Sequence, residues 1–213
     1  MKRFFEIGGV VAGVVLIAFG VAAIVLAHNG KNTIASELKM QQITGTPDMT
    51  PTAITAEAKG AGLNIAKTPI PTCSVANVAV TNGDQARCFA QYMRIHTLEA
   101  THGVPYALMP RYATADGKGT NDPTKALQSN GQPVDNGARN IWVTETALTG
   151  ALNSSYMAEQ MANFGLVVGI ALLLSGIGFI VLALGGALEN EFVFWKRPAT
   201  APTSSAKTTP LGV

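Results

Sequence analysis

The sequence predicts a mainly α-helical membrane protein, in which two transmembrane helices flank a mostly helical extracytoplasmic domain with long loops and a short strand. Three observations favour this fold class. Two uncharged apolar runs, residues 7–27 and 161–188, stand towards opposite ends of the 213-residue chain. The stretch between them is far more polar. Charged residues make up only 13% of the chain, against roughly 25% in average soluble proteins.

Each apolar run is long enough to cross a bilayer. About 20 apolar residues in a helix span the hydrocarbon core, and the backbone must satisfy its own hydrogen bonds there. We therefore expect a cytoplasmic N-terminus, a first span, an extracytoplasmic domain, a second span and a disordered cytoplasmic tail, at residues 1–6, 7–27, 28–163, 164–188 and 189–213. A cleaved signal peptide is the alternative for the first run, although such apolar cores usually extend over about 7–15 residues.

Basic residues at both ends predict the orientation. Lys2 and Arg3 precede the first run, and Lys196 and Arg197 follow the second. Because basic residues favour the cytoplasmic side, we expect both termini in the cytoplasm and the chain in the cell membrane as a multi-pass protein. Trp195, beside Lys196 and Arg197, is typical of an interfacial anchor at the level of the lipid headgroups.

Small residues recur within both apolar runs. They let helix backbones approach closely, which favours association in lipid. We expect the two helices to pack on each other or on partner helices, although glycine is also common in membrane helices without such a role. The residues expected to pack are Gly9, Gly13, Gly20, Gly165 and Gly169.

The two cysteines of the chain, Cys73 and Cys88, both lie in the middle region. Thiols outside the cytoplasm normally pair, and closing a loop of this length stabilises the fold by about 3 kcal/mol in the chain-entropy model. We therefore expect a disulfide, with two buried free thiols as the alternative.

The middle region mixes irregular segments with helices. Two proline-containing stretches within residues 28–72 are expected to break regular structure, Met49-Thr50-Pro51-Thr52 and Pro69-Ile70-Pro71. The β-branched stretch 75–80 is typical of a short strand. The pattern that follows predicts a helix over about 85–101, capped by Asp84 and packed on two sides.

The second half of the middle region begins with a predicted loop at 113–139, rich in Gly, Asn, Asp and Pro. From about Ile141 a helical pattern continues into the second span, and a break near Asn153 is the alternative.

One cluster contains metal-ligand residue types. His96, Glu99 and His102 follow one another at intervals of three residues. Histidine and glutamate bind transition metals, but at 100° per residue the outer two side chains diverge. An ordinary helix end is therefore the main interpretation, and no cofactor is predicted. Arg87 and Arg94, which share a helix face, would contact an anionic group or only solvent.

Three stretches of the sequence resemble small actinobacterial two-span membrane proteins of unknown function. They are Tyr92 to Thr101, Arg139 to Leu148 and Asn153 to Glu159. Some of these proteins carry the label aromatic ring-opening dioxygenase. Enzymes of that type use an iron site of two histidines and a carboxylate, which only His96, Glu99 and His102 could supply in this chain.

Composition and motifs exclude several function classes. A net charge of +2 is too small for nucleic-acid binding, and the spans contain no charge of the kind that marks transport. We expect a non-enzymatic accessory or structural component of a membrane or envelope assembly, such as a respiratory complex. Its partners would be lipid and either other membrane subunits or further copies of itself. The alternatives are an extracytoplasmic ligand-binding sensor and a metal-dependent enzyme that uses His96, Glu99 and His102.

Overall fold

A computed structural model describes residues 2–185, without the side chains of residues 2, 3 and 5. This part of the chain is mainly helical, as predicted. Its elements are, in order, α1 (Lys2–Met40), α2 (Pro51–Gly60), α3 (Gly83–Ala100), a 3₁₀ turn (Tyr106–Leu108), strands β1 (Gln128–Ser129) and β2 (Gln132–Pro133), and α4 (Gly137–Leu184). The chain forms two units. Of the described residues, 2–18 and 172–185 form the terminal unit, and Phe19–Ala171 forms the central unit.

Within residues 2–185, two helices are long and apolar enough to cross a membrane, namely α1 and α4. Most side chains in their apolar segments are exposed to the surroundings rather than buried in protein. The expected interfacial anchor, Trp195 with Lys196 and Arg197, lies outside the described residues, as does the tail at 189–213.

In the terminal unit, small residues of α1 lie directly against α4. A Cβ atom added at Gly9 would lie 2.9 Å from the Cβ of Ala183. One added at Gly13 would lie 2.7 Å from the carbonyl oxygen of Gly176 and 2.5 Å from a side-chain carbon of Ile180. Only hydrogen in place of a side chain therefore permits these two backbones to approach so closely.

The apolar part of the central unit has the same kind of contact. A Cβ atom at Gly169 would lie 2.9 Å from the carbonyl oxygen of Gly20 and 2.8 Å from a side-chain carbon of Ile24. One turn away, a Cβ atom at Gly165 would lie 3.7 Å from the Cβ of Ala27, an ordinary contact. The structure thus places all five predicted packing glycines where α1 and α4 meet.

Both long helices extend further than the predicted spans. Helix α1 continues beyond residue 27 to Met40, and α4 begins at Gly137 and passes through Asn153 without a break. The first predicted span, 7–27, is therefore part of a longer helix, and the helix expected to continue from about Ile141 through Asn153 into the second span is confirmed as far as Leu184. Lys31 Nζ donates a hydrogen bond of 3.0 Å to Asn163 Oδ1 in this continuation.

Helix α3 packs on two sides, as its sequence pattern predicts. One side joins a core that includes Leu38 of α1 and Leu152 of α4, with Ala86 and Ala90 as its own contribution. The other side contributes to a second core with α2. The buried members of that core are Met49, Ile54, Ala58, Val75, Cys88, Tyr92 and Ile95.

A disulfide joins Cys73 to Cys88, the pairing that the sequence predicts. It fastens the segment before α3 to that helix, 15 residues along the chain. Tyr92 strengthens the same connection, because its hydroxyl donates a hydrogen bond of 2.6 Å to the carbonyl oxygen of Cys73. The side chain of Tyr92 is fully buried.

Several local predictions are wrong. The sequence Thr50-Pro51 begins α2 rather than interrupting regular structure, since the Thr50 hydroxyl accepts a hydrogen bond from the Ala53 amide. Asn82, not Asp84, caps α3 through a bond from the Gln85 amide.

The short strand is also misplaced. Residues 75–80 make isolated bridges with residues 44 and 45 instead of a strand. The two described strands pair within the predicted loop, on either side of Asn130 and Gly131. Both of these residues have positive φ, as in the tight turns that suit a two-residue hairpin.

Candidate functional site

Three metal-ligand side chains converge where α2 packs on α3. Asp48 lies in the turn before α2, Glu57 lies on α2 and His96 lies on α3. Their nearest ligand atoms all lie within 4.8 Å of one another. Pro51 and the Thr50 cap fix the start of α2, and so determine where Asp48 and Glu57 stand relative to α3.

The closest contact in this cluster is between an imidazole and a carboxylate. His96 Nε2 lies 2.7 Å from Asp48 Oδ2, and the side chains are 32% and 26% exposed. Burial alone would raise the pKa of Asp48. Hydrogen bonds from Thr46 and from its own backbone, together with the nearby His96, hold the pKa below its usual value instead. Asp48 is therefore an ionised carboxylate at neutral pH, available to bind a cation.

A fourth group, Glu99, lies one helical turn beyond His96 on the same face of α3. Burial raises the pKa of Glu99, and the negative charges of Glu57 and Asp48 raise it further, while His96 acts in the opposite direction. Glu99 Oε1 is shielded from solvent and has no hydrogen-bond partner. His96 Nε2 is shielded as well, and it faces the Asp48 carboxylate, whose Oδ2 lies 2.7 Å away.

The set of residues that the sequence indicated is only partly assembled. His96 belongs to the cluster, Glu99 lies one turn beyond it on α3, and His102 is not part of the cluster. His102 lies beyond the end of α3 with a φ of 53°, and its side chain is exposed. Sequence reasoning missed Asp48 and Glu57. The signal that would have located them is the helix start at Thr50-Pro51, which places one acidic residue just before α2 and the other two turns into it.

A second polar site is an open groove of about 470 Å³ between α3 and α4 in the central unit. The Arg87 guanidinium lies 4.6 Å from the centre of the Tyr156 ring. Arg94 lies 5.0 Å from the centre of the Trp142 ring, and its Nη1 lies 4.0 Å from Glu145 Oε1. Both arginines therefore have partners on α4, and neither is simply solvated. The Glu145 side chain is only 3% exposed.

Neither site is explained by a known relative. No family model, curated protein or solved structure matches this chain. The resemblance to two-span membrane proteins therefore stays a prediction.

Proposed function

We propose that this chain is a multi-pass protein of the cell membrane, with both termini in the cytoplasm and the disulfide-bonded region outside. Two features support the proposal. The apolar segments of α1 and α4 expose most of their side chains, as helices in lipid do, and disulfides persist in oxidising compartments. Basic residues next to both apolar runs favour the same orientation.

We further propose that the protein is a non-enzymatic accessory or structural component of a larger membrane or envelope assembly, a respiratory complex being one such assembly. The observation that carries this proposal is that small and bulky apolar residues occupy different surfaces of α1 and α4. Small residues lie where α1 and α4 approach closely, while bulky side chains such as Phe19 and Phe164 remain 65% and 72% exposed. In a bilayer these bulky faces are available to partner helices.

Topology is tested first, on the full chain in its native membrane. A reporter active only outside the cytoplasm would be inserted at Gly117, an exposed loop position, and compared with fusions at either terminus. We expect activity from the Gly117 insertion alone and retention of the chain after carbonate washing. Activity from one terminus, or release by carbonate, would contradict the proposed topology.

Assembly is tested by purification in a mild detergent. We expect one or more membrane proteins to remain with the tagged chain in fixed stoichiometry, in both directions of a reciprocal pull-down. The variant F164A, on an exposed apolar face, should weaken that association, whereas A162V, which faces Gly30 on α1, tests the internal helix packing. A homogeneous monomer from native membranes would contradict the accessory function.

A ligand-binding sensor is the second candidate, and the groove between α3 and α4 favours it. Arg87, Arg94 and Glu145 bring charges of both signs to one concave surface. A small anion or zwitterion that binds there should raise the thermal unfolding midpoint of the wild type but not of R94Q. If none of a panel of such compounds shifts the midpoint, the sensor function is excluded for this class of ligand.

A further inference from the structure

We propose that Asp48, Glu57, His96 and Glu99 form a binding site for a divalent transition-metal ion of the Zn²⁺ type. The first argument is the identity of the donors. One imidazole nitrogen and three carboxylates are ligands that Zn²⁺ accepts. Calcium, in contrast, takes six to eight oxygen ligands, and the imidazole of His96 does not suit it.

The second argument is the distances between the donor atoms. In a tetrahedral site with ligands at 2.0–2.1 Å from the metal, neighbouring ligand atoms lie roughly 3.4 Å apart. The closest pair in the cluster, His96 Nε2 and Asp48 Oδ2, lies 2.7 Å apart. The ligand atoms of Asp48, Glu57 and His96 lie within 4.8 Å of one another. These values lie on either side of the required spacing, so small side-chain rotations would bring the ligand atoms of Asp48, Glu57 and His96 into place.

The third argument is independent of the first two. In the part of the chain that the structure describes, Glu99 Oε1 is a buried carboxylate oxygen that lacks a hydrogen-bond partner, and Glu99 lies one helical turn from His96 on the same face of α3. Buried polar groups in proteins normally have partners, because leaving one unsatisfied is costly. A cation bound beside Glu99 Oε1 would satisfy this oxygen and would offset the repulsion among the three carboxylates.

Four protein ligands predict a closed, structural metal site, since catalytic zinc sites usually keep one position open for water. The ion would connect the turn at Asp48 and helix α2 to α3. This is the same part of the central unit that the disulfide between Cys73 and Cys88 fastens. Bound metal would thus stabilise the domain outside the proposed membrane segments, and the proposal does not depend on the partner proteins discussed above.

The experiment measures metal binding by the full chain in detergent after removal of metals with a chelator. We expect one Zn²⁺ per chain, and we expect Co²⁺ in the same site to show the intense visible absorption of tetrahedral coordination. Glu57 is exposed, so E57Q should fold normally. Its affinity for Zn²⁺ should fall by at least about 100-fold, because even the loss of a residue that only supports a metal ligand weakens binding by up to that factor. Zinc should raise the thermal midpoint of the wild type and leave that of E57Q unchanged.

The matched control is H102N, which removes an exposed imidazole only six residues from His96. Asparagine tolerates the positive φ of this position. H102N should bind Zn²⁺ as the wild type does. Three results would overturn the proposal: no saturable Zn²⁺ binding by the folded wild type, unchanged affinity in E57Q, or loss of binding in H102N, which would place the ion on a different set of ligands.

Discussion

The close approach of α1 and α4 at Gly13 leads to a quantitative prediction. A Cβ atom there would lie 2.7 Å from the carbonyl oxygen of Gly176, whereas ordinary contact begins at 3.4 Å. A backbone oxygen cannot rotate away, so in G13A the helices must separate locally by about 0.7 Å, the difference between these distances. Overpacking of this kind costs about 1–3 kcal/mol.

The matched control is G8A, because a Cβ atom at Gly8 meets nothing within 4 Å. Both substitutions replace glycine by alanine in the same helix, so the gain in helix propensity is common to both and cancels. The free energy of separating the helices should therefore be lower in G13A than in G8A by about 1–3 kcal/mol, roughly a 5- to 150-fold change in the equilibrium.

The assay is SDS titration in detergent micelles, with energy transfer between dyes on I7C and L184C as the measure of helix separation. Both positions are exposed, and both native cysteines are in the disulfide, so the dyes attach only to the introduced thiols. G13A should lose energy transfer at a lower SDS fraction than G8A. Coincident transitions would show that the glycine contact does not hold the helices together, and the packing argument would be refuted.

Four further predictions concern the central unit. Reduction of the bond between Cys73 and Cys88 should lower the free energy of unfolding by about 3 kcal/mol, measured by thermal unfolding with and without reductant; an unchanged midpoint would contradict the expected contribution. Y92F should cost about 1 kcal/mol through the lost hydrogen bond to the Cys73 carbonyl. Burial raises the pKa of Tyr92 above its usual value of 10.0. The stabilising contribution of the neutral Tyr92 side chain is therefore complete below pH 10 and is lost as the pH rises through the pKa of the folded state. A spectrophotometric titration in which every tyrosine ionises at the ordinary pH would contradict the raised pKa. G83A should destabilise the fold more than G60A. A Cβ atom at residue 83 would lie 2.8 Å from the backbone of α4, whereas a Cβ atom at residue 60 meets nothing within 4 Å. Equal midpoints of the two variants in chemical denaturation would contradict this prediction.

The long helices and the two-sided packing of α3 could be predicted because their signals are local. Apolar side chains on both sides of α3 can only be buried between two partners, and the structure supplies them. The continuity of α4 was less certain, because polar residues interrupt its apolar pattern. Ser154 and Ser155 are nevertheless accommodated, since their hydroxyls donate hydrogen bonds to the carbonyl oxygens of Gly150 and Ala151, one turn earlier.

The short elements were mispredicted because their local signals are ambiguous. Pro51 is compatible with either a break or a helix start, and the Thr50 cap decides for the start. The β-branched stretch at 75–80 has strand propensity but no strand beside it. Its amides bond instead to isolated carbonyl oxygens, as Val75 does to Met49 and Val80 to Ile43. Strand formation depends on an available partner more than on propensity.

The candidate metal site shows most clearly what local spacing can and cannot indicate. His96 and Glu99 share a helix face because three residues make nearly one turn, and the sequence therefore indicated both. The same spacing suggested His102, but α3 ends before it and its φ of 53° removes it from the helical series. The place expected for His102 is taken by Asp48, which lies 48 positions before His96 in the chain and 2.7 Å from it in space. That partner is selected by the docking of α2 on α3, which is a property of the packed core. The residue types of a site can thus be found from neighbours in sequence, whereas its complete ligand set follows from which helices pack together.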